Sequence, residues 1–220
     1  PRNTVMTGRW IAFHNTLPPT HRAFGSASLS VVGHKPTIKA MWFRGGWFDS
    51  ASVLWRELNE GTFTAHAGNV DAAIEGRNGG SILLAGTLAP KARITYPIVM
   101  TWHFPNVYYQ GGWSAAEACT CQGQCDPIKP LWRPFYAGKW SDAQAVALDV
   151  HREYDRLRGL TEAFRDALFS STLPSYVIDA ISANLAILKS PTVLRQENGK
   201  VWAWEGCFCD DGCCRGSCTP

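Results

Sequence analysis

Short apolar runs alternate with turn residues through the first hundred residues, and this pattern is typical of β-strands. Pro18-Pro19, Gly33-His34-Lys35-Pro36 and Asn78-Gly79-Gly80 separate the runs with residues that favour turns. Strands at this spacing, without long helices between them, predict an antiparallel sandwich. The predicted strands are Trp10–Phe13, Ala27–Val32, Ser81–Leu88 and Ile94–Trp102.

One helix is predicted inside this β region. Asp49 is a favourable N-cap residue, and Gly61 is a suitable stop, so the helix is expected to run through about Glu60. The apolar residues expected on its single buried face are Val53, Leu54 and Leu58.

The pattern changes to helical spacing after Ser141-Asp142, which caps a long predicted helix. A second helix is predicted over Leu173–Lys189, with Pro174 in its first turn and Ser190-Pro191 at its end. Asn198-Gly199 then predicts a hairpin turn that leads into the strand Val201–Trp204. The apolar stripes expected to be buried are Val146, Val150, Tyr154, Leu157, Phe164 and Leu168 on the first helix, and Val177, Ile178, Ile181, Leu185 and Leu188 on the second.

Residues 103–140 are rich in proline, glycine and aromatic side chains and are interpreted as a connector. The chain is therefore divided into a β domain with its connector, residues 1–140, and a helical part, residues 141–220. Together these parts predict an α+β protein.

Composition and charge exclude several classes. With 45% hydrophobic and 18% charged residues the chain is typical of a globular protein. The net charge of +3, without a run of basic residues, does not favour a nucleic-acid partner. No transmembrane segment is expected, because no run of about 18 apolar residues occurs. Pro1-Arg2-Asn3-Thr4 lacks the layout of a signal peptide, and the expected location is cytoplasmic.

The eight cysteines form two clusters with the spacings C-x-C-x3-C and C-x-C-x3-C-C-x3-C. These spacings differ from the C-x2-C pair of standard zinc sites, although thiolates at this density are able to bind zinc tetrahedrally. Structural zinc, disulfides and free thiols remain open as alternatives. The two clusters are expected to be neighbours in space, as parts of one shared site. They comprise Cys119, Cys121 and Cys125, and Cys207, Cys209, Cys213, Cys214 and Cys218.

The predicted strand Val201–Trp204 leads directly to a carboxylate, Glu205, at the start of the second cysteine cluster. Trp202 and Trp204 flank this carboxylate. Among the ten tryptophans of the chain, they are the best candidates for stacking on sugar rings.

From about residue 40 to the end, the order of segments resembles glycoside hydrolase family 116, which includes the non-lysosomal glucosylceramidases, also called bile-acid β-glucosidases. The last of these segments places Glu205 between an aromatic strand and Gly206-Cys207. The other segments that carry the resemblance are Trp47-Phe48-Asp49, Thr101-Trp102-His103-Phe104-Pro105-Asn106, Trp132-Arg133-Pro134-Phe135-Tyr136-Ala137, Phe164-Arg165-Asp166-Ala167-Leu168-Phe169, Ser170-Ser171-Thr172-Leu173-Pro174, Asp179-Ala180, Asn184-Leu185 and Ser190-Pro191-Thr192.

The resemblance implies a β-sandwich N-terminal domain, a linker helix, and the first helix of an (α/α)6 barrel that residues 1–220 do not complete. It implies that Glu205 is the nucleophile of a retaining β-glucosidase, with Trp202 and Trp204 beside the substrate. The substrate is expected to be a β-glucoside, including glucosylceramide-like ones, and no cofactor is required for the chemistry. The family's acid/base Asp is expected beyond Pro220, so residues 1–220 alone are expected to be inactive. Asp210 and Asp211 match no position of the family.

An alternative interpretation is a non-catalytic module. In it, the β-sandwich binds carbohydrate or a partner, and the cysteines hold a structural metal. The sequence does not indicate an oligomeric state.

Overall fold

The computed structural model of the protein describes residues 2–6, 10–43, 47, 49–64, 70–71, 79–108, 131–185, 188 and 193–203. These residues form a mixed α+β structure of short antiparallel strands and helices, as expected for the fold class. The helices are α1 (Ser50–Asn59), α2 (Phe135–Lys139), α3 (Ala143–Phe169) and α4 (Ser175–Leu185). The strands are β1 (Arg2–Met6), β2 (Trp10–His14), β3 (Ser26–Val31), β4 (Thr37–Lys39), β5 (Val70–Asp71), β6 (Ser81–Leu83), β7 (Ile98–His103), β8 (Val107–Tyr108), β9 (Leu131–Trp132), β10 (Val193–Arg195) and β11 (Val201–Ala203).

The chain divides into two compact units. The first unit contains most of the strands and the first half of α3, and the second contains the remaining half of α3, α4 and the β10–β11 hairpin. The first unit comprises Pro1–Pro19, Ala23–Phe104 and Trp140–Tyr154, and the second comprises Thr20–Arg22, Pro105–Lys139 and Asp155–Pro220.

An antiparallel sheet of order β5-β1-β2-β3-β7 is the centre of the first unit. Trp10 lies opposite Ser30, and Ser30 lies opposite Val99, so the side chains at these positions share one face of the sheet. The strands predicted at Trp10–Phe13 and Ala27–Val32 are confirmed as β2 and β3.

Two predicted strands are longer than the observed ones. The strand expected over Ser81–Leu88 ends at Leu83, because its partner β4 offers only three residues for pairing. The strand expected over Ile94–Trp102 begins only at Ile98. Pro97 precedes it and has no backbone N–H to donate to a ladder.

One face of the sheet carries the apolar core. Ile11 is fully buried on this face and packs with Ile38 and Ala40. Ile38 lies in β4, and Ala40 directly follows it. The β4–β6 pair thus covers the sheet at β2. Partly buried residues around the cluster are Phe13, Leu29, Met41 and Ile82.

The opposite face is buried against the first half of α3, and its side chains are small and polar. Ser26, Ser28 and Ser30 alternate along β3 and are all buried, although alternating serines are more typical of an exposed face. They face the α3 alanines Ala143 and Ala147, which are also buried. Small residues on both sides allow the helix to approach the sheet closely.

Hydrogen bonds satisfy the hydroxyls of this interface. Ser26 Oγ accepts from the backbone N–H of Ala143 at 2.9 Å, and Thr101 Oγ1 donates to the Ala143 carbonyl at 2.7 Å. Because a hydroxyl has one proton, Ser28 is the donor in its 2.6 Å bond to Thr101. The start of α3 is therefore fixed to β3 and β7 by side chains.

The predicted helix after Asp49 is confirmed as α1. Asp49 Oδ1 accepts from Ser52 N at 2.8 Å, and hydrogen bonds to Ser52 hold the pKa of Asp49 below its usual value. Gly61 follows the helix with a φ of 66°. The predicted buried face is wrong at Leu58, which is exposed, because Glu57 instead approaches buried Lys39 with a 2.7 Å ion pair.

The predicted start of α3 is confirmed, since Asp142 Oδ1 accepts from Ala145 N at 2.8 Å. Its predicted buried stripe is wrong over the second half, where Leu157 and Phe164 are 39% and 60% exposed. α4 begins one residue after Pro174, as its missing N–H allows, and ends at Leu185. Of its predicted stripe only Ile178 is buried.

None of the helices in the described part of the chain combines the length and apolar character needed to cross a membrane.

Candidate functional site

The predicted nucleophile Glu205 and Trp204 lie outside the described residues, as do all the cysteines of both clusters. The backbone of Trp202 lies in β11, opposite Leu194 of β10. The role of Glu205, the stacking role of the tryptophans and the adjacency of the cysteine clusters therefore stay predictions. The geometry that bears on them is that of the hairpin immediately before Glu205.

The hairpin is closed by the predicted Asn198-Gly199 turn, which is confirmed. Gly199 has a φ of 88°, a conformation that favours glycine, and its N–H donates to the Gln196 carbonyl at 2.9 Å. Asn198 Oδ1 accepts from Lys200 N at 3.0 Å, and Gln196 N donates to Lys200 O at 2.8 Å. The register of β10 and β11 is thus set by the turn.

The segment 133–139 supports the hairpin through its backbone. Pro134 and Gln196 form an isolated antiparallel bridge, and Glu197 N donates to the Arg133 carbonyl at 2.9 Å. Gln196, directly after β10, is therefore bonded to Lys200 on one side and bridged to Pro134 on the other. The hairpin is anchored through these backbone bonds to the segment that carries α2.

Side chains add two further contacts between the same segments. The guanidinium of Arg195 lies over the ring of Phe135, 3.7 Å from its centroid, which is cation–π geometry. Arg133 Nε lies 3.8 Å from Glu197 Oε1 of the hairpin. Within its own segment, Arg133 Nη2 donates to the Ala137 carbonyl at 2.8 Å. A shallow pocket of about 380 Å³ opens beside this pair, lined by Arg133, Gln196, Glu197 and Asn198.

These contacts give the strand before Glu205 a defined position. A catalytic carboxylate must be held close to its productive geometry, and sites carried on strands meet this need better than sites on free loops. The sequence resemblance identified Trp132–Ala137 and the hairpin as separate segments. Their direct contact through Arg195 and Phe135 is a finding of the structure that no sequence pattern indicated.

Replacing Arg195 with glutamine is expected to loosen the hairpin without changing its turn. Loss of the cation–π contact with Phe135 should lower its local free energy of opening by about 0.5–1 kcal/mol. Hydrogen exchange at the N–H groups of Gln196 and Gly199 measures this, with Arg152→Gln, whose side chain is 70% exposed on α3, as the control. Unchanged exchange in Arg195→Gln would mean that the contact does not stabilise the hairpin.

A serine–histidine pair in the first unit is the other described cluster whose residue types could act in catalysis. His151 Nε2 lies 2.8 Å from Ser30 Oγ, and the His151 ring packs at 5.6 Å against Trp10. A catalytic serine must reach its substrate and give its proton to the histidine. Ser30 is fully buried, and its hydroxyl donates to the Val99 carbonyl at 3.4 Å. This pair therefore links α3 to the sheet and does not form a catalytic pair.

His151 faces the sheet through its contact with Ser30, and His103 is buried on the same face of the sheet. Two patterns in the sequence match this interface. One is the four-residue spacing of Ala143, Ala147 and His151 on α3, and the other is the alternation of Ser26, Ser28 and Ser30 on β3.

Within the described ranges, no group of three or more His, Cys, Asp or Glu residues is placed to hold a metal ion. The cysteines lie outside those ranges, so structural zinc, disulfides and free thiols all remain predictions.

Comparison of the chain with protein-family models, with curated proteins and with solved structures gives no match in any of the three.

Proposed function

We propose that the chain is part of a retaining β-glucosidase, a longer polypeptide that hydrolyses β-glucosides, including glucosylceramide-like ones. Glu205 is the proposed nucleophile, and a second carboxyl group contributed by residues beyond Pro220 is the proposed acid and base. The observation that supports the proposal is the anchored β10–β11 hairpin, which immediately precedes Trp204-Glu205-Gly206 in the sequence.

The proposed reaction has two displacements. The Glu205 carboxylate attacks the anomeric carbon while the acid protonates the departing glycosidic oxygen, which leaves a glucosyl ester on Glu205. Water, deprotonated by the same second carboxylate, then breaks this ester and releases β-glucose. The two carboxyl groups must lie about 5–5.5 Å apart for this order of events. The hydrogen-bonded hairpin before Glu205 supports such a fixed separation.

The helices of the second unit support the proposed helical barrel. An apolar groove of about 620 Å³ runs along α4, and Leu188 beyond it is 62% exposed. The second half of α3 also exposes Leu160 and Phe164. Amphipathic helices normally bury their apolar stripes against other elements. Stripes so exposed are suited to contacts with the further helices of an (α/α)6 barrel.

The first unit supports the proposed sandwich. The β4–β6 pair lies over the apolar face of the main sheet, where Ile38 meets Ile11. Two layers of antiparallel strands with an apolar core between them are the elementary arrangement of a sandwich.

The stereochemistry of hydrolysis tests this proposal. The longer polypeptide that contains residues 1–220 is incubated with an aryl β-glucoside, and proton NMR follows the anomeric signals from the first minutes. β-Glucose is expected first, with α-glucose formed only by later mutarotation. α-Glucose as the first product would contradict the retaining mechanism. Carbohydrate binding without hydrolysis would favour a non-catalytic module.

A further inference from the structure

The turn of the β10–β11 hairpin contains a chemically reactive pair of residues, Asn198-Gly199. The backbone nitrogen that follows an asparagine is able to attack the side-chain carbonyl carbon and expel ammonia. Glycine hinders this attack least, because it has no side chain. Asn198 is exposed, so water reaches its carboxamide. The other Asn-Gly pair of the chain, Asn78-Gly79, begins outside the described residues.

Two hydrogen bonds of the turn act on this reaction in opposite directions. Lys200 N–H donates to Asn198 Oδ1 at 3.0 Å, which stabilises the negative charge that develops on this oxygen during the attack. Gly199 N–H donates to the Gln196 carbonyl at 2.9 Å, and this bond must open before the nitrogen attacks. Because one hydrogen bond contributes only modestly to stability, opening of an exposed turn slows the reaction without preventing it.

Asn106 and Asn184 provide a contrast within the described residues. Their carboxamide nitrogens donate to backbone carbonyls at 3.0 Å and 2.8 Å, which restrains the side-chain rotation that ring closure needs. They are followed by Val107 and Leu185, whose side chains crowd the attacking nitrogen. We therefore expect Asn198 to react much faster than either of them.

We propose that Asn198 is a site of spontaneous deamidation and that its isoaspartyl product loosens the hairpin. Gly199 N forms a bond to Asn198 Cγ, and the carboxamide nitrogen leaves as ammonia with the proton of the attacking N–H. Water then opens the resulting cyclic imide at one of its two carbonyls. Opening at the former backbone carbonyl gives isoaspartate, and opening at the former side-chain carbonyl gives aspartate.

The isoaspartyl product does not fit the present turn. It adds one atom to the backbone between β10 and β11, whose register the turn sets. The former Asn198 Oδ1 becomes a backbone oxygen, so it does not keep the bond that it makes to Lys200 N–H as a side-chain atom. A carboxylate is also added next to Glu197, whose backbone N–H donates to the Arg133 carbonyl. These changes weaken the anchoring of the hairpin.

Ageing of the purified chain tests the modification site. The chain is incubated at neutral and at mildly alkaline pH, digested under mildly acidic conditions and mapped by mass spectrometry, with synthetic aspartyl and isoaspartyl peptides as standards. Asn198 should deamidate about tenfold faster than Asn106 or Asn184, or more, with isoaspartate as the main product. The rate should rise with pH, because the attacking nitrogen must lose its proton. Asn198→Gln, which would have to form a larger ring, is the matched control and should stay intact. Deamidation of Asn198 no faster than that of Asn106 or Asn184 would overturn the proposal.

Hydrogen exchange tests the consequence for the hairpin. Exchange at the N–H groups of Gln196 and Gly199 should be faster in the aged isoaspartyl chain than in the fresh chain. Asn198→Asp separates the added charge from the added backbone atom, because it brings the charge and keeps a side-chain acceptor for Lys200 N–H. This variant should retain the exchange rates of the fresh chain. Equal exchange in the fresh and aged chains, or exchange in Asn198→Asp as fast as in the aged chain, would overturn the proposed loosening.

Discussion

Replacing Glu205 with glycine in the longer polypeptide should reduce kcat for an aryl β-glucoside by on the order of 10⁴–10⁶-fold. The reason is that no other group on the chain is proposed to form the covalent intermediate. Asp210→Asn and Asp211→Asn are the matched controls, since these neighbouring carboxylates match no family position and should leave kcat nearly unchanged. A loss of activity at Asp210 or Asp211 comparable with that at Glu205 would contradict the assignment.

Added azide distinguishes a missing nucleophile from a damaged fold. Glycine at position 205 leaves space on the face of the sugar that the carboxylate attacks. Azide entering there should form α-glucosyl azide and restore part of the rate for substrates with good leaving groups. A variant that is inactive because it is misfolded would form no such product.

The second large effect is expected at the core of the first unit. Ile11→Ala should lower the free energy of unfolding by about 2–5 kcal/mol, because it removes buried methyl groups and leaves a cavity between the sheet and Ile38. Urea denaturation followed by circular dichroism measures the change. Ile94→Ala, at an exposed isoleucine outside the strands, is the control and should cost less than about 0.5 kcal/mol. Equal losses at the two positions would contradict the core described above.

Local sequence rules predicted the elements whose boundaries depend on neighbouring residues. The cap at Asp49, the start of α3 after Asp142 and the Asn198-Gly199 turn all follow from side chains that bond to the adjacent backbone. Alternation of apolar residues likewise gave β2 and β3. The lengths of β6 and β7 did not follow, because pairing with β4 and the position of Pro97 decide where a ladder stops.

Periodicity alone does not show what covers a face. The stripes on α3 and α4 were correctly read as apolar, yet Phe164 and Leu188 are exposed because no described element packs on them. The serines of β3 show the converse. Ser28 and Ser30 have the alternation of an exposed face, and they are buried because the alanines of α3 permit close approach. Thr101 and His151 supply their hydrogen-bond partners.

The order of motifs indicated the candidate site. It did not indicate the contacts that hold the hairpin before Glu205. Glu205 was singled out because an aromatic strand and Gly206 flank it. The contact of Arg195 with Phe135 joins residues far apart in the chain, and such a pairing depends on the fold.

Trapping of the covalent intermediate tests the central proposal most directly. The longer polypeptide is inactivated with a 2-deoxy-2-fluoro-β-glucoside that has a good leaving group, digested, and mapped by mass spectrometry. We expect a single fluoroglucosyl ester on Glu205, in the peptide that contains Trp204-Glu205-Gly206. A label on any other residue, or hydrolysis of β-glucosides without a trapped ester, would contradict the proposed role of Glu205.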